Sequence, residues 1–518
     1  METLGKLLDR NAQLYGSEEA LVFSGRTLTY DDLRQRAGRL SAALYRLGLR
    51  RQDRLAILAM NCPEYLEVYG AGHLAGYIIS TVNFRLTLPE MEFVTQDSAP
   101  TIFIFEAQYA GIVGALRASA PSIRHFICIG DAPDWALSYE GLMASEFENK
   151  APIVSLTDDY AHLMYSSGTT GRPKGVIKTH RAELARGEIF SGMLRLMSDE
   201  RSLVVMPLFH TGATSIMLAA HWIGGSVVLH RKFDPNAVLR DIEAYRVAMT
   251  HMAPTLVRAI LDSPDIDTRD LSSLKTLFYA AAPMPVALLK RAIDRFGTIL
   301  ANGYGMTEGG GTFLQKHYHR PDGNEMDRRR LFSVGHPTAH AEIRVVDGDG
   351  EPLPPETAGE IVLKSPTVMA CYWNNSVATR QTLRDGWLST GDVGVIDKDG
   401  FVYLVDRKKD MIISGGENIY CQEVEQVLMN CDGVREAVVL GVPDDYWGEN
   451  VAAFVIREPH STVTSDEITA YCNAQLARYK VPKSIVFVED VPRVTSGKVD
   501  KRTLKSVYLE QAASAAAL

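Results

Sequence analysis

Apolar positions along this chain follow two rhythms. In "LTYDDLRQRAGRLSAALYRLGL" (residues 28–49), Leu33, Ala37, Leu40, Ala43, Leu44 and Leu47 recur every three or four residues, one face of a helix, with an Asp cap at its start. Elsewhere apolar residues run together. "RLAILAM" and "TIFIF", then "RSLVVMPLFH", "SVVLHRKF" and "LKTLFYAAAP", read as short buried strands ending in small or polar residues. Helical stretches such as "VALLKRAIDRF" follow them. Strands and helices in alternation predict an α/β body whose binding loops lie at the strand ends.

Past about residue 335 the rhythm becomes strict alternation around Asp-Gly turns, in "AEIRVVDGDGEPL" and "GVIDKDGFVYLVDR". That predicts a smaller β-barrel-like subdomain. Beyond "DRKKD" the order is helix, strand, strand, helix, in "YCQEVEQVLMN", "VREAVVLGVPD", "VAAFVIRE" and "SDEITAYCNAQLARY". The expected fold class is therefore multidomain α/β. A large N-terminal domain of α/β subdomains plus the β subdomain spans residues 1–408, and a small α+β domain spans residues 409–518. The Ala-rich tail "QAASAAAL" is expected to fray.

Composition narrows the partners. With 46% hydrophobic and 23% charged residues the chain can bury several cores, and its net charge of −9 argues against nucleic acid or an anionic membrane as partner. The short runs "RRR" (Arg328 to Arg330) and "RKKD" (Arg407 to Asp410) are the local exceptions, and the first reads as a solvated loop. Cys62, Cys128, Cys371, Cys421, Cys431 and Cys472 have neither metal-site nor disulfide-framework spacing. The charged first turns lack a signal-peptide core and no long apolar run follows, so a cytoplasmic protein without a transmembrane segment is expected.

One stretch carries distinctive chemistry. "YSSGTTGRPKG" (Tyr165 to Gly175) lies between the strand-like "AHLMY" and "GVIKTH", so its glycines sit at a strand-to-strand turn. Glycine lets several backbone N–H groups converge on one anion. Ser166, Ser167, Thr169 and Thr170 add hydroxyl donors around Gly168, and Lys174 adds a mobile charge. Polyphosphate is the natural guest. The spacing fails the Walker A pattern, because Pro173 precedes Lys174 and no Ser or Thr follows it.

Further motifs follow in chain order: "NGYGMTE" (Asn302 to Glu308), "STGD" (Ser389 to Asp392), "VDRKKDMIISGGENIY" (Val405 to Tyr420) and "SGKVDK" (Ser496 to Lys501). With the glycine-rich loop they give the chain, over nearly its whole length, a sequence that resembles the AMP-forming adenylating enzymes. That superfamily contains acyl-CoA synthetases, peptide-synthetase adenylation domains and beetle luciferases. The resemblance implies ATP, Mg²⁺ and CoA as co-substrate, a small-molecule carboxylic acid as the other partner, and leaves a homodimer open.

It also implies roles. Asn302, Gly303, Tyr304 and Gly305 would line the adenine site with Tyr304 stacking on the base, Thr307 would touch the α-phosphate, and Glu308 would hold magnesium. Ala281 and Ala282 in "YAAAPMP" would cover the other face of adenine, and Asp392 and Arg407 would bind ribose. Lys498 would bridge the attacking carboxylate and the α-phosphate, stabilising charge as it moves. Gly415 and Gly416 would admit pantetheine, with Trp447, Tyr479, Lys480 and Lys483 about the CoA nucleotide, and Lys409 would be the hinge on which the mobile small domain turns. His210 in "PLFHTGATSIM" would act as catalytic wall of an acyl pocket, with Gly212, Ala213, Ala280, Gly303, Gly309 and the rest of "GGG" leaving room for the acid.

The activity implied is two-step. A carboxylate attacks ATP with loss of pyrophosphate, and the acyl adenylate then passes its acyl group to CoA. The resemblance to peptide-synthetase adenylation domains makes the absence of an Asp soon after "FH" disfavour amino acids, and a fatty or aromatic acid is the expected substrate. Carrier-protein loading, an aryl-specific ligase of the coumarate or benzoate kind, and an idle adenylate-binding scaffold are the alternatives. Lys498→Ala is expected to slow pyrophosphate release about a hundredfold, the usual effect of losing one preorganised charge-stabilising group. Use of a preformed acyl adenylate should survive, and adenylation at the wild-type rate would refute the role.

Overall fold

The computed structural model describes residues 2–144, 154–166, 173–282, 284–407, 410–414, 417–444, 448–493 and 499–516. Among these the chain builds two large sheets. In one, Glu19–Phe23, Ser226–Leu229, Arg201–Val204, Val247–Met252, Thr276–Tyr279 and Leu300–Gly305 run parallel in that spatial order, and Gly310–Leu314 turns back antiparallel beside the last. In the other, His125–Ile129, Ile102–Glu106, Arg54–Leu58, Ile78–Thr81 and Tyr160–Ser166 are parallel neighbours, and Lys174–Thr179 then runs antiparallel to Tyr160–Ser166.

Helices Leu4–Tyr15, Tyr30–Arg46, Pro63–Ala75, His180–Leu194 and Thr211–Trp222 contribute to one core that reaches residues of both sheets. The apolar stripe anticipated on the second of these is buried at Leu33, Ala37, Leu40, Ala43 and Leu44. Its cap differs from the expectation. Thr29 accepts the Asp32 N–H and the Asp32 carboxylate accepts the Thr29 N–H at 3.0 Å, a reciprocal capping box in which Asp is the third helical residue.

A third sheet, of Glu342–Val346, Gly359–Lys364, Trp387–Ile396, Leu383–Arg384 and Val402–Arg407, is the β subdomain. The turn in "DKDG" links an immediate hairpin, Trp387–Ile396 with Val402–Arg407. After "DGDG" the chain makes only a single bridge, Val346 to Pro352, before its full partner Gly359–Lys364. The prolines of "EPLPPE" explain the delay, because they supply no N–H to a ladder. "RRR" is not a loop but the last turn of helix Glu325–Arg330, capped by Asn324. Arg329 meets Glu356 at 2.6 Å and Arg330 meets Asp399 at 2.9 Å.

The smaller C-terminal α+β domain is organised by the hairpin Val434–Asp444 with Gly448–Arg457. Its alternate residues serve two cores. Val439, Val451, Ala453 and Val455 pack with helices Cys421–Met429 and Ser465–Gln475, whereas Val438, Leu440, Phe454 and Ile456 pack with Leu504 and Tyr508 of helix Lys501–Ala516. Helix Lys501–Ala516 takes in the Ala-rich tail up to its last two residues, which lie outside the described residues. None of the six cysteines forms a disulfide, and no helix among the described residues is long and apolar enough to cross a membrane.

Several polar groups are buried beneath the stems of the glycine-rich loop. His73 and His162 meet at 2.9 Å through their Nε2 atoms, Glu183 pairs with Arg186 and lies 3.5 Å from His162, and the Leu4 N–H donates to His180 Nδ1 at 3.2 Å. Burial would raise Glu183, but Arg186, His162 and Lys178 outweigh it and hold its pKa near 2. Burial pushes His180, His221, His251 and His319 each down to about 4. Their folded pKa lies below the unfolded value of about 6.5, so stability is complete above that pH and is lost as the unfolded chain gains protons the folded chain refuses. The melting temperature should hold from about pH 8 to 7 and fall steadily between about pH 6.5 and 4. A flat profile across that window in scanning calorimetry would contradict the burial assigned to these histidines.

Candidate active site

The glycine-rich loop leaves the sheet at Ser166 and returns at Lys174, which are register partners, with the Ser166 hydroxyl 3.4 Å from the Lys174 carbonyl. Ser167, Gly168, Thr169 and Thr170, at the tip, lie outside the described residues, as do Lys409, Gly415, Gly416, Trp447 and Lys498. What the structure does describe is the floor of the site. The Lys174 ammonium stands 4.9 Å over the ring of Tyr372, a residue of strand Cys371–Tyr372 that pairs with Val176 on the same strand as Lys174.

Tyr372 donates to Glu308 Oε1 at 2.8 Å. Thr307 and Glu308 occupy a tight turn in which the Met306 N–H bonds the Gly309 carbonyl at 2.7 Å and the Gly309 N–H bonds back at 3.2 Å. The Glu308 carbonyl in turn accepts from the Met369 N–H at 2.7 Å and from Lys178 Nζ at 3.0 Å. Lys178 is 2% exposed. Burial pushes its pKa down to about 7, with Arg186 adding to the fall and Glu183 and Glu308 opposing it. One carboxylate anchored through a single oxygen suits Mg²⁺, which favours one or two carboxylates and completes its shell with water and nucleotide phosphates.

Upstream of that turn Asn302, Gly303, Tyr304 and Gly305 end the strand Leu300–Gly305. The Tyr304 hydroxyl donates to Asp392, itself 7% exposed, and Asp392 is the register partner of Arg407 in the hairpin. The residues expected at adenine and at ribose therefore meet directly through Tyr304 and Asp392. Ala281 and Ala282 follow the neighbouring strand, whose Tyr279 pairs with Asn302, and Ala281 has φ of 76°, a left-handed conformation costly for any residue with a Cβ.

His210 caps helix Thr211–Trp222 with its ring 4.4 Å from that of Phe209. The first turn of that helix faces a wall of rings that sequence reasoning missed. Phe278 stacks on Phe313 at 5.8 Å, meets Phe190 edge-on at 5.9 Å and lies 5.1 Å from His251. Gly212 and Gly303 are seated against this wall: a Cβ on Gly212 would come within 3.0 Å of His251, and one on Gly303 within 3.0 Å of Phe278. Ala213 is buried and Ala280 packs on the same core. Gly309 faces elsewhere, toward Leu388 and Val368, at the seam with the β subdomain.

The matches to known proteins agree with this geometry. The profile of the AMP-binding enzyme family covers residues 8–373, and that of the AMP-binding enzyme C-terminal domain covers residues 423–498. The chain belongs to the AMP-binding enzyme family. It is an AMP-forming acyl-CoA ligase of that family. It is 40% identical to a feruloyl-CoA synthase of Amycolatopsis sp. over 96% of its own length and 97% of the relative's. It is 33% identical to a long-chain-fatty-acid CoA ligase of Mycobacterium tuberculosis over 98% and 99% of the two chains. Its fold matches the crystal structure of the anthranilate CoA ligase AuaEII in complex with anthranoyl-AMP with a TM-score of 0.90 at 28% identity, covering 99% and 98% of the chains.

In the C-terminal domain of this AMP-binding enzyme, Lys480 is committed to Glu423, at 2.7 and 2.8 Å from its two oxygens, while Tyr479 is 42% exposed and the Lys483 N–H bonds the Val451 carbonyl. Tyr479 is thus open to a ligand and Lys480 would have to share its charge. If Asp392 holds the ribose as the resemblance implies, Asp392→Ala should raise KM for ATP about tenfold or more, since a hydrogen bond to a charged group contributes about 1.5–3 kcal/mol. KM for the acid should stay within about twofold. A KM for ATP unchanged in steady-state kinetics would remove Asp392 from the nucleotide site.

Proposed function

We propose that the acid this ligase activates is aromatic, a flat carboxylate of the hydroxycinnamate or benzoate class. The observation that carries the reading is the ring wall of Phe190, Phe278, Phe313 and His251 beside Gly212 and Gly303. Offset and edge-to-face partners reward a planar guest more than a flexible alkyl chain. The feruloyl-CoA synthase and the anthranilate CoA ligase among the similar proteins support the same class.

In the first step a carboxylate oxygen attacks the α-phosphorus of ATP and pyrophosphate leaves. Lys174 and the loop hydroxyls bind the phosphates, Tyr304 and Ala281 hold adenine, Asp392 and Arg407 hold ribose, and Lys498 spans carboxylate and α-phosphate. Glu308 would hold Mg²⁺, which supplies charge neutralisation on the phosphates. In the second step the CoA thiol attacks the acyl carbon and AMP leaves. A turn of the small domain about Lys409, from a boundary at residue 408, would exchange Lys498 for the Gly415 and Gly416 loop and bring Tyr479, Lys480 and Lys483 to the CoA nucleotide. The chemistry suits a cytoplasmic enzyme, where ATP and CoA are found.

Pyrophosphate release should be measured with Mg-ATP and CoA across ferulate, 4-coumarate, benzoate, hexanoate, decanoate and palmitate. The best aromatic acid is expected to exceed every fatty acid at least tenfold in kcat/KM. A fatty acid at the head of the series would overturn the assignment of class while leaving the ligase reaction intact.

A further inference from the structure

Lys178 has no place in the chemistry above, yet it lies one residue from the end of the strand that leaves the glycine-rich loop, at 2% exposure. An ammonium is retained in such a position only if its protons are well matched. Its Nζ donates to the Glu308 carbonyl at 3.0 Å and to the Thr367 carbonyl at 2.7 Å. Thr367 in turn bonds the Gly310 carbonyl at 3.1 Å through its hydroxyl. Both sides of the turn that presents Glu308 are therefore tied to one buried lysine amine.

The side chain of Glu308 is tied to the same strand by another route. Tyr372 pairs with Val176 in the backbone ladder and donates to Glu308 Oε1 at 2.8 Å. Lys174, Val176 and Lys178 alternate along one strand face, so the phosphate-loop lysine, the partner of Tyr372 and the buried lysine point the same way. The spacing between the Lys174 ammonium and the Glu308 carboxylate is set by a few residues of one strand.

We propose that Lys178 and Tyr372 form a two-point brace, one on the backbone and one on the carboxylate of Glu308, which positions that carboxylate relative to Lys174 to receive a metal-bound nucleotide. Neither residue touches the reacting atoms; both are positioning residues. The proposal rests on the reading of Glu308 as the magnesium-holding carboxylate. A preset pair of this kind lowers the reorganisation needed when Mg-ATP binds.

Binding without turnover separates this role from a merely structural one. Calorimetric titration with Mg-ATP, and with ATP in EDTA, both without acid, should be run on the wild type, Lys178→Met, Tyr372→Phe and Glu308→Gln. Lys178→Met and Tyr372→Phe are each expected to weaken Mg-ATP about tenfold and leave metal-free ATP within about twofold, with the double variant short of the product of the two. Equal losses for both forms of ATP, or no loss for either, in variants that melt like the wild type would overturn the brace. If Glu308→Gln does not distinguish the two forms, the magnesium reading fails and the proposal falls with it. If Glu308→Gln distinguishes them and the other two do not, the brace alone is wrong. Should Lys178→Met fail to fold, Tyr372→Phe, which removes a single hydroxyl, decides the matter.

Discussion

The sheet edge that carries the glycine-rich loop depends on the antiparallel pairing of Tyr160–Ser166 with Lys174–Thr179. The pairing interrupts an otherwise parallel run, and an antiparallel pair can be closed by a short connection where a parallel one needs a crossover. The glycine-rich loop can therefore begin and end on one sheet edge with both of its stems fixed. The stems are further secured from outside. Tyr165 donates to Asp97 at 2.7 Å, Trp373 Nε1 donates to the Asp97 carbonyl at 2.9 Å, and Cys371–Tyr372 adds a final strand beside Lys174–Thr179.

The described part of the site is arranged around that fixed edge. The Glu308 turn docks on it through Lys178 and Tyr372, and Tyr304, just upstream of the same turn, reaches across to Asp392 of the β subdomain. The residues assigned to adenine, ribose and metal thus come from separate parts of the chain and converge because the sheets and the β subdomain share packed seams. Gly309 is one such seam: a side chain there would meet Leu388 and Val368. His73, His162 and His180 and the pair of Glu183 with Arg186 lie under the same edge, polar groups that tie the elements together there.

Much of this is legible in the sequence. Apolar runs mark the strands, the three- and four-residue rhythm marks helix Tyr30–Arg46, and the order of motifs marks nucleotide chemistry. The differences are local and have physical causes. An Asp cap is the simplest reading of "LTYDDL", but Thr29 serves, with Asp32 as its reciprocal partner. Three consecutive arginines suggest a solvated loop, whereas an Asn cap and charges opposed to the helix dipole at both ends support a short helix. Nothing local marks Lys178 as buried, because its partners Glu308 and Thr367 are 130 and 189 residues away. Tyr372 and the ring wall are hidden for the same reason: their meaning depends on which strands become neighbours.

The central claim is that the acid is activated as an acyl adenylate, and isotope transfer tests it most directly. An acid labelled with ¹⁸O in both carboxylate oxygens should be turned over with ATP and CoA, and the AMP and pyrophosphate weighed by mass spectrometry. The account predicts one ¹⁸O atom in AMP and none in pyrophosphate, because a carboxylate oxygen bonds the α-phosphorus and leaves with it. Unlabelled AMP, or label in pyrophosphate or inorganic phosphate, would contradict it.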